Sequence, residues 1–156
     1  MQVSDQGIDM LVAFEGMELQ AYRCPSGVWT IGAGHTGTVD GRPIAKGMTI
    51  SHDKAMELLR KDLERFEECI NGQPFVKRLR QNQFDALVSF VFNVGTAAFH
   101  SSTMRRKLCS GADSSSVAEE FGRWIYGKKG VLPGLVRRRK IEAAMFLHGG
   151  GKEAEA

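Results

Sequence analysis

The chain has 156 residues and a mass of 17.2 kDa, a length typical of a single domain. Hydrophobic residues make up 42% and charged residues 25%, ordinary globular values that exclude wholesale disorder. Lysine and arginine exceed aspartate and glutamate, so the formal net charge is +3. This mild excess suits a polyanionic partner, such as nucleic acid, an anionic glycan or a membrane surface, without choosing among them.

The cysteines and the first ten residues of the chain indicate the cellular compartment in which the protein is expected. There are three cysteines, and no Cys-x-x-Cys pair, which argues against a disulfide framework and for a reducing environment. The stretch 1–10 lacks the basic and apolar regions of a signal peptide. No apolar run approaches the ~18 residues of a membrane span. We therefore expect neither an export signal nor a transmembrane helix.

Residues 4–15 predict a short helix that Ser4 caps. Ile8, Leu11 and Glu15 follow helical spacing and share one face. Glu15 thus continues an apolar stripe, where a salt-bridging surface glutamate is not expected. Burial on this face removes water from the carboxyl group, which favours its protonated form. The alternative interpretation is that Glu15 is an ordinary capping or exposed glutamate.

Strand formers and glycines between residues 16 and 50 predict a small antiparallel β lobe, with a turn at 25–27. Residues 51–70 predict a helix capped by Ser51, about 30 Å long and able to join two lobes.

The sequence pattern then predicts a helical region over 81–148. The predicted helices are 81–93, which is central and buried, then 103–109, 116–126 and 134–148. The tail 149–156 is expected to be flexible. The predicted architecture is α+β, one domain over 1–148, with a small sheet lobe, a larger helical lobe and a cleft between them.

The spacing of three residues with reactive or polar side chains points to a catalytic site. Glu15 is followed after eight residues by Cys24 and after five more by Thr30, and the stretch 31–36 reads Ile-Gly-Ala-Gly-His-Thr. Here the chain resembles the phage-type (T4-type) lysozymes of glycoside hydrolase family 24, whose motif is Glu-x8-Asp/Cys-x5-Thr. Residues 84–95 and 132–139 resemble two further blocks of that family. The resemblance covers about 5–148 and implies a lysozyme-like fold.

The resemblance implies that Glu15, Cys24 and Thr30 are the catalytic residues. Glycosidic cleavage needs a proton donor to the leaving oxygen and a group on the other face of the sugar, and Glu15 fits the general acid. Thr30 has the family role of positioning a water. Cys24 stands where many relatives carry aspartate. Its thiolate, favoured by the adjacent Arg23, can act as base, electrostatic stabiliser or nucleophile, or the cysteine only fills space.

The resemblance also suggests residues that bind substrate or support the site. Gly32 and Gly34 are turn glycines or allow sugar rings to approach the backbone. Asn93, Gly95 and Ser102, with its neighbour Ser101, are candidates for hydrogen bonds to N-acetyl groups or peptide stems. His35 is expected to be structural support.

The last predicted helix carries an arginine run. A helical wheel that takes Ile141 as the centre of the buried face predicts that Arg137 points inward and that Arg139 points to solvent. It places Arg138 inward less clearly. A buried arginine needs an anionic partner, and the resemblance suggests Glu15. The alternative is a solvated basic run.

The expected function is an endolysin, a muramidase that cuts the β-1,4 bond between N-acetylmuramic acid and N-acetylglucosamine for host cell lysis. One alternative is a lysozyme fold that binds glycan or acts as a scaffold with little turnover, and another is membrane action by 134–148. Histidine and cysteine spacing predicts no metal site, and no cofactor or nucleic-acid partner is expected. We expect a monomer in the host cytoplasm that needs a holin to reach the wall.

Overall fold

The computed structural model describes residues 1–149, and most of the expected flexible tail, 150–156, lies outside them. Seven α-helices are present in the described chain: α1 (Asp5–Glu15), α2 (His52–Asn71), α3 (Gln81–Val94), α4 (Thr96–His100), α5 (Thr103–Ser110), α6 (Ser114–Phe121) and α7 (Pro133–His148). The strands are β1 (Glu18–Arg23), β2 (Trp29–Gly32), β3 (His35–Thr36), β4 (Thr38–Val39), β5 (Arg42–Pro43), β6 (Tyr126–Gly127) and β7 (Gly130–Val131). A short 3-10 helix covers Val76–Arg78. The predicted α+β class is confirmed.

The chain forms two compact units. One comprises Asp9–Glu64, and the other combines Met1–Ile8 with the chain from Arg65 onward.

The Asp9–Glu64 unit contains an antiparallel sheet in the order β1-β2-β3. Its register places Tyr22 opposite Thr30, and Ile31 opposite His35. Because successive strand residues point to opposite faces, Ile31 can enter the core while Thr30 lies on the other face. The small apolar core is built from Ile31, Val39, Ile44 and Leu58.

The other unit is helical around α3, whose side chains are buried on all sides from Gln83 to Val91. Helices α3 and α6 pack against α7. Phe121 contacts both Phe90 and Phe146 through ring pairs with centroids 5.4 and 5.9 Å apart. These rings fill the space between the helices.

The predicted caps are confirmed. The Ser4 hydroxyl accepts the amide N–H of Gly7 at 3.2 Å, and the Ser51 hydroxyl accepts that of Lys54 at 3.0 Å. Each hydroxyl supplies an acceptor for an N–H group that has no partner inside its helix.

The prediction of a helix over 116–126 is wrong in its second half. Helix α6 begins at Ser114 and ends at Phe121, and the chain then forms the β6–β7 hairpin with Lys128 and Lys129 at its tip. Trp124, Ile125 and Tyr126 favour extended backbone, and Gly130 adopts φ +110°, which the turn requires. Helix α4 was not predicted either, because five residues are too few to show helical periodicity.

Candidate active site

Glu15 is the last residue of α1. Gly16 stops the helix with φ +76°, and its amide N–H donates to the carbonyl of Val12 at 2.8 Å. The half-buried Glu15 side chain turns towards the loop between β2 and β3, because a Cβ placed on Gly34 would stand 3.5 Å from Oε2 of Glu15. The helix end therefore holds a carboxyl group beside an exposed loop glycine.

The two glycines of this loop differ in what surrounds them. Gly34 has φ +77°, is exposed, and leaves the space beside the Glu15 carboxyl group open. Gly32 has φ +68° and is buried, and a Cβ there would contact Ala55 and Ile50. Gly32 thus serves the packing of the sheet, whereas Gly34 borders the carboxyl group.

Cys24 lies in the turn that joins β1 to β2. Its amide N–H donates to the carbonyl of Val28 at 3.0 Å, and its carbonyl accepts from the amide of Gly27 at 2.8 Å. The free thiol lies 2.9 Å from Oγ of Ser26. The hydrogen bond from Ser26 is the main reason that the pKa of the Cys24 thiol is lowered to about 7. A substantial fraction of Cys24 is thus thiolate at neutral pH.

Thr30 lies on β2 and is 4% exposed. Its hydroxyl donates to the carbonyl of Val28 at 3.0 Å, and a hydrogen bond from Thr30 also contributes to the lowered pKa of Cys24. Since the hydroxyl has one proton, it donates to one of these acceptors at a time. Thr30 therefore lies within hydrogen-bonding reach of the thiol group.

Tyr22 lies near Thr30, Cys24 and Glu15. It faces Thr30 across the β1–β2 pair. Burial raises the pKa of Tyr22, and the negative charges of Glu18, Cys24 and Glu15 raise it further. The carboxyl group of Glu15 and the thiol of Cys24 are thus both close enough to Tyr22 to act on it electrostatically. The Asp9–Glu64 unit brings together all three residues predicted to be catalytic.

His35 connects β3 to α2. Its Nδ1 lies 2.7 Å from Oδ2 of Asp62, and its Nε2 lies 2.7 Å from the carbonyl oxygen of Thr38. A carbonyl oxygen only accepts, so Nε2 carries a proton and donates it. Both ring nitrogens are engaged, which fits the support role predicted for His35.

The other predicted binding residues belong to the helical unit. Asn93 and Gly95 line a cavity of about 300 Å³ together with Arg65, Phe66 and Phe92. Ser102 is buried and caps α5: its hydroxyl donates to the carbonyl of Phe99 at 2.6 Å and accepts the amide N–H of Arg105 at 3.1 Å. The Ser102 hydroxyl thus makes two hydrogen bonds within the fold, and substrate binding by Ser102 stays a prediction. Its predicted neighbour Ser101 donates back to carbonyls of α4.

The prediction that Arg137 faces inward and Arg139 outward is wrong. Arg137 is exposed, whereas Arg138 and Arg139 are buried. Both buried arginines pair with Glu142, and Arg139 also donates to the side chain of Asn93. The wheel was centred on Ile141, which is 38% exposed, whereas the buried face of α7 is centred on the polar residue Glu142. The need for an anionic partner therefore applies to Arg138 and Arg139, and Glu142 meets it.

Sequence reasoning missed Ser26 and Asp62. Ser26 lies in the predicted turn two residues after Cys24, so the turn itself could have indicated a hydroxyl near the thiol. Asp62 is separated from His35 by 27 residues, and no local pattern marks it as a partner.

Comparison with known proteins decides the family. The Phage lysozyme family model matches residues 12–142. The chain belongs to the phage lysozyme family. The endolysin of Salmonella phage P22 is 45% identical over 148 residues, which cover 94% of this chain and 99% of that protein. The endolysin of Acyrthosiphon pisum secondary endosymbiont phage 1 is 39% identical over 150 residues, covering 94% and 98%.

A solved structure gives the same result. The crystal structure of a point mutant of P22 lysozyme superimposes with a TM-score of 0.86 at 42% identity, covering 94% of this chain and 99% of the other. The predicted lysozyme-like fold and the predicted enzyme class, an endolysin that hydrolyses peptidoglycan, are confirmed by this membership. Over residues 1–149, no helix combines the length and apolar character needed to cross a membrane.

Proposed function

We propose that the chain cleaves the β-1,4 bond between N-acetylmuramic acid and N-acetylglucosamine, with Glu15 as the general acid. The observation that carries this proposal is the placement of Glu15 at the end of α1 beside Gly34, in the unit that also holds Cys24 and Thr30. The open space at Gly34 allows a sugar to approach the carboxyl group, which protonates the leaving glycosidic oxygen as the bond breaks.

Cys24 and Thr30 act on the attacking water. The oxygen of this water bonds to the anomeric carbon while the Cys24 thiolate takes a proton from it. Thr30 orients the water through its hydroxyl group. The products are two shortened strands, with the Glu15 proton on the leaving hydroxyl group and the water proton on Cys24. Proton exchange with solvent then restores both groups. The lowered pKa of Cys24, about 7, makes the thiolate available at neutral pH.

The remaining site residues support this chemistry. His35 fixes β3 to α2 through Asp62, so that the loop containing Gly34 keeps its place beside Glu15. Asn93 and Gly95 line a cavity of the helical unit, and we keep them as candidates for hydrogen bonds to N-acetyl groups or peptide stems of the wall polymer.

We further propose that the enzyme acts as a monomer, accumulates in the host cytoplasm and depends on a holin to reach the wall. The wall polymer lies outside the cytoplasmic membrane, and the described chain contains no helix able to cross that membrane. Co-expression with and without a holin tests this dependence: lysis should require both proteins, and lysis by the enzyme alone would contradict it.

The bond is identified by the new reducing ends. Purified cell walls are digested, reduced with borohydride and hydrolysed, and the amino sugar alcohols are separated. We expect the reduced alcohol of muramic acid to increase with digestion. An increase in the reduced alcohol of glucosamine, or new free amino groups without new reducing ends, would overturn the proposal.

A further inference from the structure

One stretch of the helical unit is rich in positive charge and poor in acids. Residues 69–112 contain six lysines and arginines and a single acid, Asp85. Asp85 is 1% exposed and accepts hydrogen bonds from Ser4 and Gln81, so its charge is satisfied inside the fold. The residues proposed above to be catalytic belong to the Asp9–Glu64 unit, and their chemistry uses none of these cations.

Five of the six cations have no acidic partner. Lys107 pairs with the buried Glu120 at 2.8 Å. Within residues 1–149, no carboxylate forms an ion pair with the remaining five, which we call the basic surface: Lys77, Arg78, Arg80, Arg105 and Arg106. All of them are exposed except Arg105, which is half-buried. Charge that the fold leaves unpaired at its surface attracts an anionic partner.

Two hydrogen bonds hold arginines of the basic surface against neighbouring segments. Arg78, in the 3-10 helix, donates from Nη2 to the carbonyl of Leu108 near the end of α5, at 2.9 Å. Arg105, on α5, donates from Nε to Oε1 of Gln73 at 2.8 Å. These bonds bring the two segments side by side and orient both guanidinium groups. The other N–H groups of each arginine are left to bind an acceptor from outside the fold.

A recess of about 230 Å³ opens beside Arg78. Its lining includes Arg78, Gly111, Ala112 and the apolar side chain of Phe75. Gly111 follows the end of α5 with φ +77°, and a Cβ there would stand 3.8 Å from Nη1 of Arg78. The missing side chain leaves this nitrogen open to a ligand in the recess. An arginine fork of this kind matches the oxygens of a phosphate group.

The chemistry of the basic surface favours a phosphorylated polysaccharide over other polyanions. Four of its five cations are arginines, which bind phosphate through two parallel N–H groups. The large exposed apolar side chains of the described chain, such as Leu19 and Val131, lie outside residues 69–112. A surface that binds a membrane adds apolar side chains that insert, and one that binds single-stranded nucleic acid adds aromatic rings on which bases stack.

We propose that the basic surface binds the phosphate groups of an anionic glycan of the cell envelope, with Arg78 as the anchor. The choice of an envelope polymer rests on the proposed function. Binding holds the enzyme on the envelope and raises its effective concentration at the wall polymer, without contact to the reacting bond.

The test measures the affinity of the intact protein for dextran phosphate, with unmodified dextran as the uncharged control. A triple variant, Lys77→Gln with Arg80→Gln and Arg106→Gln, removes three exposed charges, which the fold should tolerate. We expect it to bind dextran phosphate about tenfold or more weakly, the effect of losing at least one charge-assisted hydrogen bond. Binding of unmodified dextran at the wild-type affinity for dextran phosphate would overturn the proposal.

A matched triple variant separates a site from net charge. Lys128→Gln with Lys129→Gln and Lys140→Gln removes the same formal charge from exposed positions outside the basic surface, and it should leave binding nearly unchanged. Equal losses for the two triple variants would indicate diffuse attraction and overturn the proposal. Unchanged affinity in the variant of the basic surface would also overturn it.

Arg78→Gln and Arg78→Lys test the anchor. Both should weaken binding of dextran phosphate, because lysine keeps the charge but not the fork. Arg78 also bonds to Leu108, so the Tm of both variants is measured. The triple variant of the basic surface leaves that bond intact and tests the surface independently. Full affinity in a folded Arg78→Gln or Arg78→Lys protein would overturn the anchor role.

Two further ligands decide the class of partner. Duplex DNA and vesicles of phosphatidylglycerol are each presented to the wild type and to the triple variant of the basic surface, at the same salt concentration. A loss of affinity confined to DNA would assign the surface to nucleic acid, and one confined to vesicles would assign it to a membrane. Either result would overturn the choice of a glycan.

This assay and the reducing-end assay fail separately, because dextran phosphate contains no bond between N-acetylmuramic acid and N-acetylglucosamine. Binding through the basic surface, with new reducing ends on glucosamine, would contradict the bond assignment alone. New muramic acid ends, with equal losses for the two triple variants, would contradict the glycan site alone.

Discussion

Cys24 illustrates how a turn sets the chemistry of one residue. The sequence predicts that the neighbouring Arg23 favours the thiolate, but the Arg23 guanidinium lies over the Trp29 ring, 5.0 Å from its centroid. Adjacent side chains on extended backbone point to opposite faces, so proximity in sequence does not bring the guanidinium to the thiol. Ser26, placed by the tight turn, is instead the largest cause of the lowered pKa.

The pH dependence of alkylation tests this assignment. The thiolate is the reactive form, so the rate at which iodoacetamide modifies Cys24 should rise with pH through a midpoint near 7. Ser26→Ala removes the main stabilising hydrogen bond and should move the midpoint to higher pH. Mass spectrometry of peptides gives the rate for each cysteine. Cys69, whose pKa is raised by burial, is an internal control that should react slowly at pH 7 and show no response to Ser26→Ala. An unchanged midpoint in Ser26→Ala would exclude Ser26 as the cause.

Gly34 and Gly37 allow strain to be separated from blockage of the site. Both have positive φ, +77° and +95°, so alanine at either should cost about 1–2 kcal/mol of stability. A Cβ at Gly34 would approach the Glu15 carboxyl group, whereas a Cβ at Gly37 would meet nothing within 4 Å. We expect similar losses in Tm for the two variants and a loss of wall-clearing activity, about tenfold or more, in Gly34→Ala alone. Equal activities at equal stability would show that the space at Gly34 is not used by substrate.

At the scale of the element, α7 shows the limit of reading a helix by its apolar residues. Its buried positions are Arg138, Arg139, Glu142, Met145 and Phe146. Three of the five are charged, so a wheel that follows hydrophobicity selects the wrong face. These buried charged groups are tolerated because each one has hydrogen-bond partners. Glu142 accepts a hydrogen bond from the Ser89 hydroxyl at 2.6 Å, and Arg138 donates to the carbonyl of Ser89 at 3.0 Å.

The helix face is tested by comparing two arginines. Arg139→Ala leaves Glu142 buried with fewer partners and should reduce the free energy of unfolding by about 3–5 kcal/mol. Arg137→Ala removes an exposed charge and should change it by no more than about 0.5 kcal/mol. Denaturant unfolding of both variants gives the two values. A larger loss for Arg137→Ala would restore the face predicted from the sequence.

Helix α1 contains a glycine whose replacement should be harmful although it lies in a helix. A Cβ on Gly7 would stand 2.6 Å from Cγ1 of Val3 and 2.7 Å from Cγ of Asp85. Asp85 accepts hydrogen bonds from both the amide and the hydroxyl of Ser4, so its carboxylate cannot move away without losing them. Gly7→Ala should therefore lower Tm. Gly134→Ala on α7 is the matched control: no atom lies within 4 Å of its Cβ, and it should raise stability by up to about 1 kcal/mol. Stabilisation by Gly7→Ala would contradict the close packing at Ser4.

At the scale of the whole molecule, the predictable features are those encoded locally. The caps at Ser4 and Ser51, the strands with their turn glycines and the spacing of Glu15, Cys24 and Thr30 are each visible within a short stretch. The roles of those three residues came from resemblance to a family and remain predictions.

The features that could not be predicted depend on residues distant in sequence. The pairing of His35 with Asp62 and the network linking Ser89 to Glu142 join segments 27 and 53 residues apart. Short elements were also missed, because α4 and the β6–β7 hairpin are too brief to show a period. Tertiary packing, rather than local pattern, decides these parts of the structure.

The central claim is that Glu15 donates the proton in peptidoglycan cleavage, and Glu15→Gln tests it most directly. The substitution removes the acidic proton with little change in volume, so Tm should stay near that of the wild type. Clearing of a cell-wall suspension should fall by about 10²–10⁴-fold or more, the range associated with general acid catalysis. Glu18→Gln makes the same chemical change at an exposed position of β1 and should retain activity. Clearing by Glu15→Gln at close to the wild-type rate, with Glu18→Gln behaving identically, would contradict the assignment of the general acid.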